Sequence, residues 1–385
     1  VEAAFGRIGL SRSARKGGEP GWPHVPRVGG DKLVVVVGRT ESGRAPNALC
    51  AISIPGLSAA TTLEAPVAGP NQGADVRADW ILSGSRLFRD GRFFDPDLLE
   101  PLDGAEIQPG PAIVGDRLVF QARVLDGDVR TYLVAVSLAD GEPLWTRLVA
   151  KGGDLGPSGG ARFVQARLPL GAAAELVVQA GAALVQTNLG ISALFDVADG
   201  RLLWSFLHRR RDAEAPGWSG LAPLVLPRGG FAVAPADSDF AYQLAAKAPE
   251  SPASTPLLAS PIPLGSGTDL VAAETRTLIS FALAGGERQL SELRLTPAGE
   301  VERQFDSVLL RRDERFVGLP AVGPKRILAS SNRGLFLFDR TRELFLLDYL
   351  AIPSGAGPRE AGGEVLILGD RLLVLGPGTL WIFEP

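Results

Sequence analysis

Short apolar runs separated by tight polar turns follow one another along this chain, and that pattern predicts β-hairpins. The clearest is Tyr132–Trp145 (YLVAVSLADGEPLW), which recurs as Ile191–Trp204 (ISALFDVADGRLLW). Each copy reads as an apolar strand, a turn ending in Asp-Gly (Asp140-Gly141 and Asp199-Gly200), and a second strand that closes on Trp145 or Trp204. Asp-Gly between two apolar runs is a strong hairpin signal, because glycine takes a positive φ without steric cost. Two further patterns extend the repeat. A glycine followed by polar residues and a β run occurs as Gly30-Asp-Lys-Leu-Val-Val, Gly115-Asp-Arg-Leu-Val-Phe and Gly369-Asp-Arg-Leu-Leu-Val, with weaker copies at Gly84, Gly181, Gly229, Gly267 and Gly323. The strand that leads into the hairpin recurs as Ala51-Ile52-Ser53, Phe93-Phe94-Asp95, Ala135-Val136-Ser137, Leu194-Phe195-Asp196, Gln243-Leu244-Ala245, Ala282-Leu283-Ala284, Leu337-Phe338-Asp339 and Ile382-Phe383-Glu384. Both patterns count eight and alternate in strict order along the chain.

A repeat of about 40–50 residues holding about four short strands is the size of a propeller blade. The fold predicted is therefore all-β: an eight-bladed β-propeller of four-stranded antiparallel blades, forming one domain over residues 1–385. A blade buries its apolar faces only against neighbouring blades, so an open array would leave naked faces and edges, and the ring is expected to close. The last unit reaches Pro385 with room for three strands, while Ala4–Leu10 is an apolar segment without a unit of its own. Residues 1–12 are accordingly expected to supply a closing strand to the last blade, and residues 13–28 to form a polar, Gly/Pro-rich linker. Similar stretches at 151–160, 209–220 and 249–267 read as loops inserted in or between blades.

Composition supports the β reading and narrows the chemistry. Apolar residues make up 45%, enough for a large core, and the 47 glycines and 30 prolines suit many turns. A net charge of −4 creates no field favouring nucleic acid or an anionic membrane, so no nucleic-acid partner is expected. A single cysteine, Cys50, excludes an internal disulfide and a multi-cysteine metal cluster, and two histidines, His24 and His208, make a histidine metal site improbable. No uninterrupted apolar stretch reaches the ~18 residues of a transmembrane helix. The chain contains no methionine. The expectation drawn from this is that a leader was removed or the chain trimmed.

The hairpin repeat resembles the PQQ-like repeat of quinoprotein-type β-propellers, whose pattern is Ala-Leu-Asp-x-x-Thr-Gly-x-x-x-Trp. Asp196, Gly200 and Trp204 match its Asp, Gly and Trp. Gly141 and Trp145 match in the other copy, where Ser137 stands for the Asp, and Asp140 and Asp199 replace the Thr. The resemblance implies that each Trp packs over the glycine-containing turn and the next blade, a structural role. It also implies one of two branches: enzymes that bind pyrroloquinoline quinone with a divalent cation, or non-catalytic, BamB-like propellers of the outer-membrane assembly type that serve as docking platforms.

Little in the sequence fits the enzyme branch. It has no vicinal cysteine pair over a quinone and no Cys-x-x-Cys-His, and its only asparagines are Asn47, Asn71, Asn188 and Asn332. Asp237 and Asp239 in Pro235-Ala-Asp-Ser-Asp could offer carboxylates to a cation or sugar, but read more simply as a polar loop. Arg209-Arg210-Arg211, beside Asp212 and Glu214, reads as a solvated loop or a rim contact to an acidic partner. His24 and His208 lie outside any Gly-x-Ser-x-Gly context, and Cys50 beside Leu49, Ala51 and Ile52 reads as a core residue. Expected, then, are no catalytic, cofactor-binding or metal-binding residues, no cofactor, and five structural repeat positions at Gly141, Trp145, Asp196, Gly200 and Trp204. The function expected is a protein-interaction scaffold that binds protein partners through its rim loops, as part of an exported or cell-envelope complex. A periplasmic, outer-membrane-associated or extracellular location follows from the resemblance, with any membrane association through a partner or a removed leader. The alternatives are a divergent quinoprotein-type dehydrogenase and a propeller that binds a glycan or small ligand at its central funnel.

Overall fold

In a strand buried on both faces, alternate apolar residues serve two different neighbours, which is why the strands here read as near-continuous apolar runs. A computed structural model describes residues 27–29, 31–37, 48–53, 78–108, 110–126, 128–152, 175–187, 189–208, 222–227, 229–235, 238–248, 255–264, 269–284, 287–308, 310, 314, 316–317, 320–351, 364–368, 371–375 and 380–383. These form seven antiparallel sheets and two short 3-10 turns. The strands sort into two compact units that divide near Phe206.

The first unit holds three sheets. The first runs β1 (Arg27–Gly29), β2 (Lys32–Val37), β3 (Ala48–Ser53), β4 (Trp80–Ser83), β5 (Arg86–Arg89) and β6 (Arg92–Phe94), each strand paired with the next. In the second, β7 (Glu106–Ile107) and β8 (Ala112–Val114) both pair with β9 (Arg117–Asp126), followed by β10 (Asp128–Ser137) and β11 (Pro143–Gly152). The third is β12 (Val177–Gln179), β13 (Ala182–Gln186), β14 (Ile191–Asp196) and β15 (Leu202–Leu207).

Faces alternate as the period of two requires. On β9 and β10, Leu118, Phe120, Ala122, Val134 and Val136 pack against Val34, Leu49, Trp80 and Leu82 of the first sheet. Their sequence neighbours Val119, Leu133 and Ala135 pack against Ala183, Val185, Ala193 and Phe195 of the third. A register slip of one residue in β9 or β10 would exchange both sets, so the pairing is strongly specified.

The second unit holds four sheets. The fourth is β16 (Leu224–Val225), β17 (Phe231–Val233), β18 (Phe240–Leu244) and β19 (Ile262–Pro263); the fifth is β20 (Asp269–Glu274), β21 (Thr277–Ala284), β22 (Glu287–Leu295) and β23 (Val301–Asp306). The sixth is β24 (Ala321–Val322), β25 (Arg326–Ser330), β26 (Gly334–Asp339) and β27 (Phe345–Ala351); the seventh is β28 (Glu364–Leu368), β29 (Arg371–Leu375) and β30 (Leu380–Phe383). Leu278 and Leu293 face the fourth sheet, whereas Ile279, Phe281 and Leu290 face the sixth. Phe316 stacks on Phe281 at 4.8 Å between ring centres and meets Phe336 edge-on. The outer strand β27 leaves Phe345 (52%), Leu347 (39%), Tyr349 (41%) and Leu350 (50%) exposed.

Seven sheets among the described residues stand against eight repeats read from the sequence. The difference lies in the first sheet. The Gly84 repeat builds no separate sheet there: β4 pairs with β3, and the turn at Gly84, φ +56°, folds β5 and β6 onto the same sheet. Residues 27 and 28, read as the end of a linker, belong to β1, where Arg27, Val28 and Gly29 pair with Val34, Leu33 and Lys32. Three residues are too few for a period-two pattern to be visible. The strand expected within residues 1–12 lies outside the described residues.

Candidate functional site

Gly200 takes φ +69° in the turn between β14 and β15, a conformation that side chains other than glycine's strain to reach. Its Cα rests on the Trp145 ring, so closely that a Cβ built there would lie 2.7 Å from Trp145 Cδ2. Trp145 Nε1 donates to the Val197 carbonyl at 3.2 Å, three residues before that glycine. Gly141 and Trp80 repeat the arrangement one sheet earlier. Gly141 has φ +75°, a Cβ there would lie 2.8 Å from Trp80 Cδ2, and Trp80 Nε1 donates to the Leu138 carbonyl at 3.1 Å.

Each tryptophan thus covers the turn of the next sheet, not the turn of its own hairpin. Asp196 shapes the turn from within, its Oδ1 accepting the Ala198 N–H at 2.9 Å while its carbonyl accepts the Gly200 N–H at 2.9 Å. Trp145, Asp196 and Gly200 therefore meet at the boundary of the second and third sheets. Gly141 sits at the boundary of the first and second, and Trp204 is buried in β15.

Trp80 is the residue that the sequence pattern missed. It pairs with Ala51 just as Trp145 pairs with Ala135, in the two Ala-hydrophobic-Ser segments that look alike in sequence. Twenty-four residues, 54–77, separate Ser53 from the described chain before Trp80 and conceal the match.

Beside the Trp145–Gly200 contact, on the outer side of β11 and β15, lies a groove of about 280 Å³. Val149, Ile191 and Phe195 form its apolar floor, Leu148 and Leu202 are each 51% exposed at its margin, and Arg147 and Arg201 stand on its rim. Arg147 reaches over the turn and donates to the carbonyls of Gly200 (3.1 Å), Asp199 (3.0 Å) and Thr146 (3.3 Å). The Asp199 carboxylate turns away from it, accepting the Arg201 N–H at 2.8 Å.

A broader cleft of about 800 Å³ flanks the preceding Trp80–Gly141 contact and has a different electrostatic character. Its Lys32 is held by Asp79 at 2.7 Å, and its Arg89 by Asp140 at 3.1 Å and Glu142 at 3.3 Å. Cations there are matched by carboxylates, as Arg201 on the first groove's rim is by Asp196 at 3.5 Å and Asp199 at 3.9 Å, whereas Arg147 rests on carbonyl oxygens alone.

The second unit makes its sheet-to-sheet contacts differently. Gly299, φ +88°, lies under Gln243, whose Nε2 donates to the Gly299 carbonyl at 2.7 Å. In the next boundary the turn after β26 inserts Arg340, which is 6% exposed. Its Nε donates to Glu292 Oε2 at 2.8 Å, its Nη1 and Nη2 to Glu274 at 2.9 and 2.7 Å, and Nη1 also to the Gly323 carbonyl at 2.6 Å. Asp339 closes that turn as Asp196 closes its own, accepting from the Thr341 N–H and hydroxyl at 2.9 and 2.6 Å. The Thr341 hydroxyl and its neighbours hold the Asp339 carboxyl below the usual range.

The other residues singled out in the sequence fall as follows. Among the described residues no group of three or more His, Cys, Asp or Glu is placed to hold a metal. Ser238 bonds the Tyr242 hydroxyl at 3.1 Å and the Phe240 N–H at 3.2 Å, as a loop-shaping residue does. Asp237, His24, Asn188 and Arg209–Arg211 lie outside the described residues. His208 is buried near Tyr242. Cys50 is buried, and burial pushes its thiol up to about 11. At pH 8 it is therefore expected not to react with a thiol reagent in the folded protein and to react fully after denaturation, as counting labelled thiols by mass will show. Among the described residues no helix is long and apolar enough to cross a membrane.

Within each unit, successive antiparallel sheets stack face to face, as the blades of a β-propeller-like fold do. BamB from Moraxella catarrhalis has a similar structure, with a TM-score of 0.51 and 13% sequence identity over 92% of this chain and 80% of that one. Hsv2 from Kluyveromyces lactis matches with a TM-score of 0.40 and 12% identity over 73% of each chain. The fold assignment rests on the first. No protein-family model matches the chain, and no curated protein does.

Proposed function

We propose that this chain is a non-catalytic propeller that works as a protein-interaction scaffold, as a subunit of an exported or cell-envelope complex. The observation that carries the reading is the groove between β11 and β15. Half-exposed Leu148 and Leu202 there border an apolar floor, in a volume of about 280 Å³. An apolar floor edged by half-exposed leucines offers surface to the side chains of a protein partner. The cell-envelope setting, periplasmic or outer-membrane-associated, draws on the resemblance of the repeat to PQQ-like propellers and on the fold shared with BamB.

A native pull-down from the source cells tests this. A defined protein partner recovered in stoichiometric amount is the expected result. Quinone-type absorption after reconstitution with calcium and pyrroloquinoline quinone, or a thermal shift with a sugar and no protein partner, would overturn it.

A further inference from the structure

Resting on the scaffold reading, and narrowing it to one surface, we propose that the groove between β11 and β15 binds an extended partner segment carrying a carboxylate beside bulky apolar residues. Two observations define that chemistry. The floor of Val149, Ile191 and Phe195 and the margin of Leu148 and Leu202 offer apolar surface to aliphatic side chains. The guanidinium of Arg147 stands on the rim with its N–H groups on carbonyls and no carboxylate among the described residues, unlike Arg89 at the neighbouring cleft.

A guanidinium held by carbonyl oxygens is already oriented and is not paired with an anion among the described residues, so it favours a carboxylate that binds with a charge-assisted hydrogen bond. An extended chain alternates its side chains, so every second residue points into the groove while its neighbours point to the rim. Alternation of apolar and acidic residues matches a floor of one kind and a rim of the other. The Arg147 side chain leaves β11 on the Trp145 face and lies over the turn at Gly200, so the same contact that joins the two sheets fixes the position of the charge.

The test uses the full chain and a fluorescein-labelled peptide of alternating Leu and Asp, with Leu/Asn and Leu/Lys peptides of equal length as controls, read by fluorescence anisotropy. The Leu/Asp peptide is expected to bind about tenfold tighter than the Leu/Asn peptide, the factor that corresponds to ~1.4 kcal/mol, and the preference to weaken with salt. Arg147→Gln is expected to abolish the preference for Asp over Asn. Leu148→Ser and Leu202→Ser, both at half-exposed positions, are expected to weaken binding of both peptides with the melting temperature unchanged.

Equal binding of Leu/Asp and Leu/Asn by the unaltered protein would overturn the inference. So would a preference that survives Arg147→Gln, or binding indifferent to both leucine variants. A native partner retained at full yield by the Leu148→Ser/Leu202→Ser protein would sink the groove while leaving the scaffold reading intact. Absence of any partner for the unaltered protein would sink the scaffold reading itself.

Discussion

Replacing Trp145 with alanine is expected to lower the stability of the first unit by about 3–5 kcal/mol, the range for truncating a large aromatic in a core. The side chain is 4% exposed, its ring covers the Gly200 turn, and its N–H satisfies the Val197 carbonyl. At ~2–4 °C per kcal/mol, the melting temperature should fall by roughly 10 °C. Gly200→Ala is expected to be damaging for two separable reasons. A positive φ costs a residue with a side chain ~1–2 kcal/mol, and the new methyl would lie 2.7 Å from the indole. The two substitutions together should therefore cost clearly less than their sum, because removing the indole removes the clash while the backbone term stays. Urea unfolding of the two single variants and the double variant gives the coupling directly. Strict additivity would mean that the ring and the turn do not constrain each other.

Arg340→Ala should do comparable damage in the second unit by a different mechanism. It leaves Glu292, 2% exposed, buried without its strongest partner, and breaking one side of such a pair costs about 3–5 kcal/mol. Glu274, whose side chain is 40% exposed, can return to water, so Glu274→Gln should cost much less, about 1 kcal/mol. Replacing Arg340 and Glu292 together with Met and Leu should recover most or all of the stability, since apolar groups of similar volume need no desolvation of charge. Chemical denaturation of the four proteins decides the matter. A double variant as unstable as Arg340→Ala would show that the ion pair itself, rather than its unpaired remnant, sustains the boundary.

These two boundaries also show what could be read from the residues alone. The strands and their order were plain, because a strand buried on both faces must be apolar throughout and the intervening turns must be polar. The Asp-Gly turns marked two hairpins with their tryptophans, but in the structure Trp145 covers Gly200 and not Gly141. Local spacing carries no information about which neighbour a side chain will reach. Trp80 escaped because an insertion separates it from its partner strand, and the same region hid the joining of two repeats in the first sheet. Arg340 escaped for another reason: a charged residue in a turn reads as solvated. The available signal was Glu292, a carboxylate on β22 whose register partner Ile279 and same-strand neighbour Leu290 both face the same neighbouring sheet. An acid on an apolar face calls for a cation, and Arg340 answers it at 2.8 Å, with Arg294 on its other oxygen at 3.2 Å. The groove at Arg147 required both strands to be placed before its lining could be recognised, and no run of sequence contains it.

The outer strand of the sixth sheet, Phe345–Ala351, has one further bearing on how the protein behaves. It is a seven-residue stretch, FLLDYLA, with a single charge and no proline. Segments of that length, high β-propensity and low charge are templates for edge-to-edge association between molecules. Concentrated solutions should gel or precipitate through this strip before the molecules unfold, and a lysine in place of Leu347, 39% exposed, should act as a gatekeeper that raises the solubility limit with little change in folding.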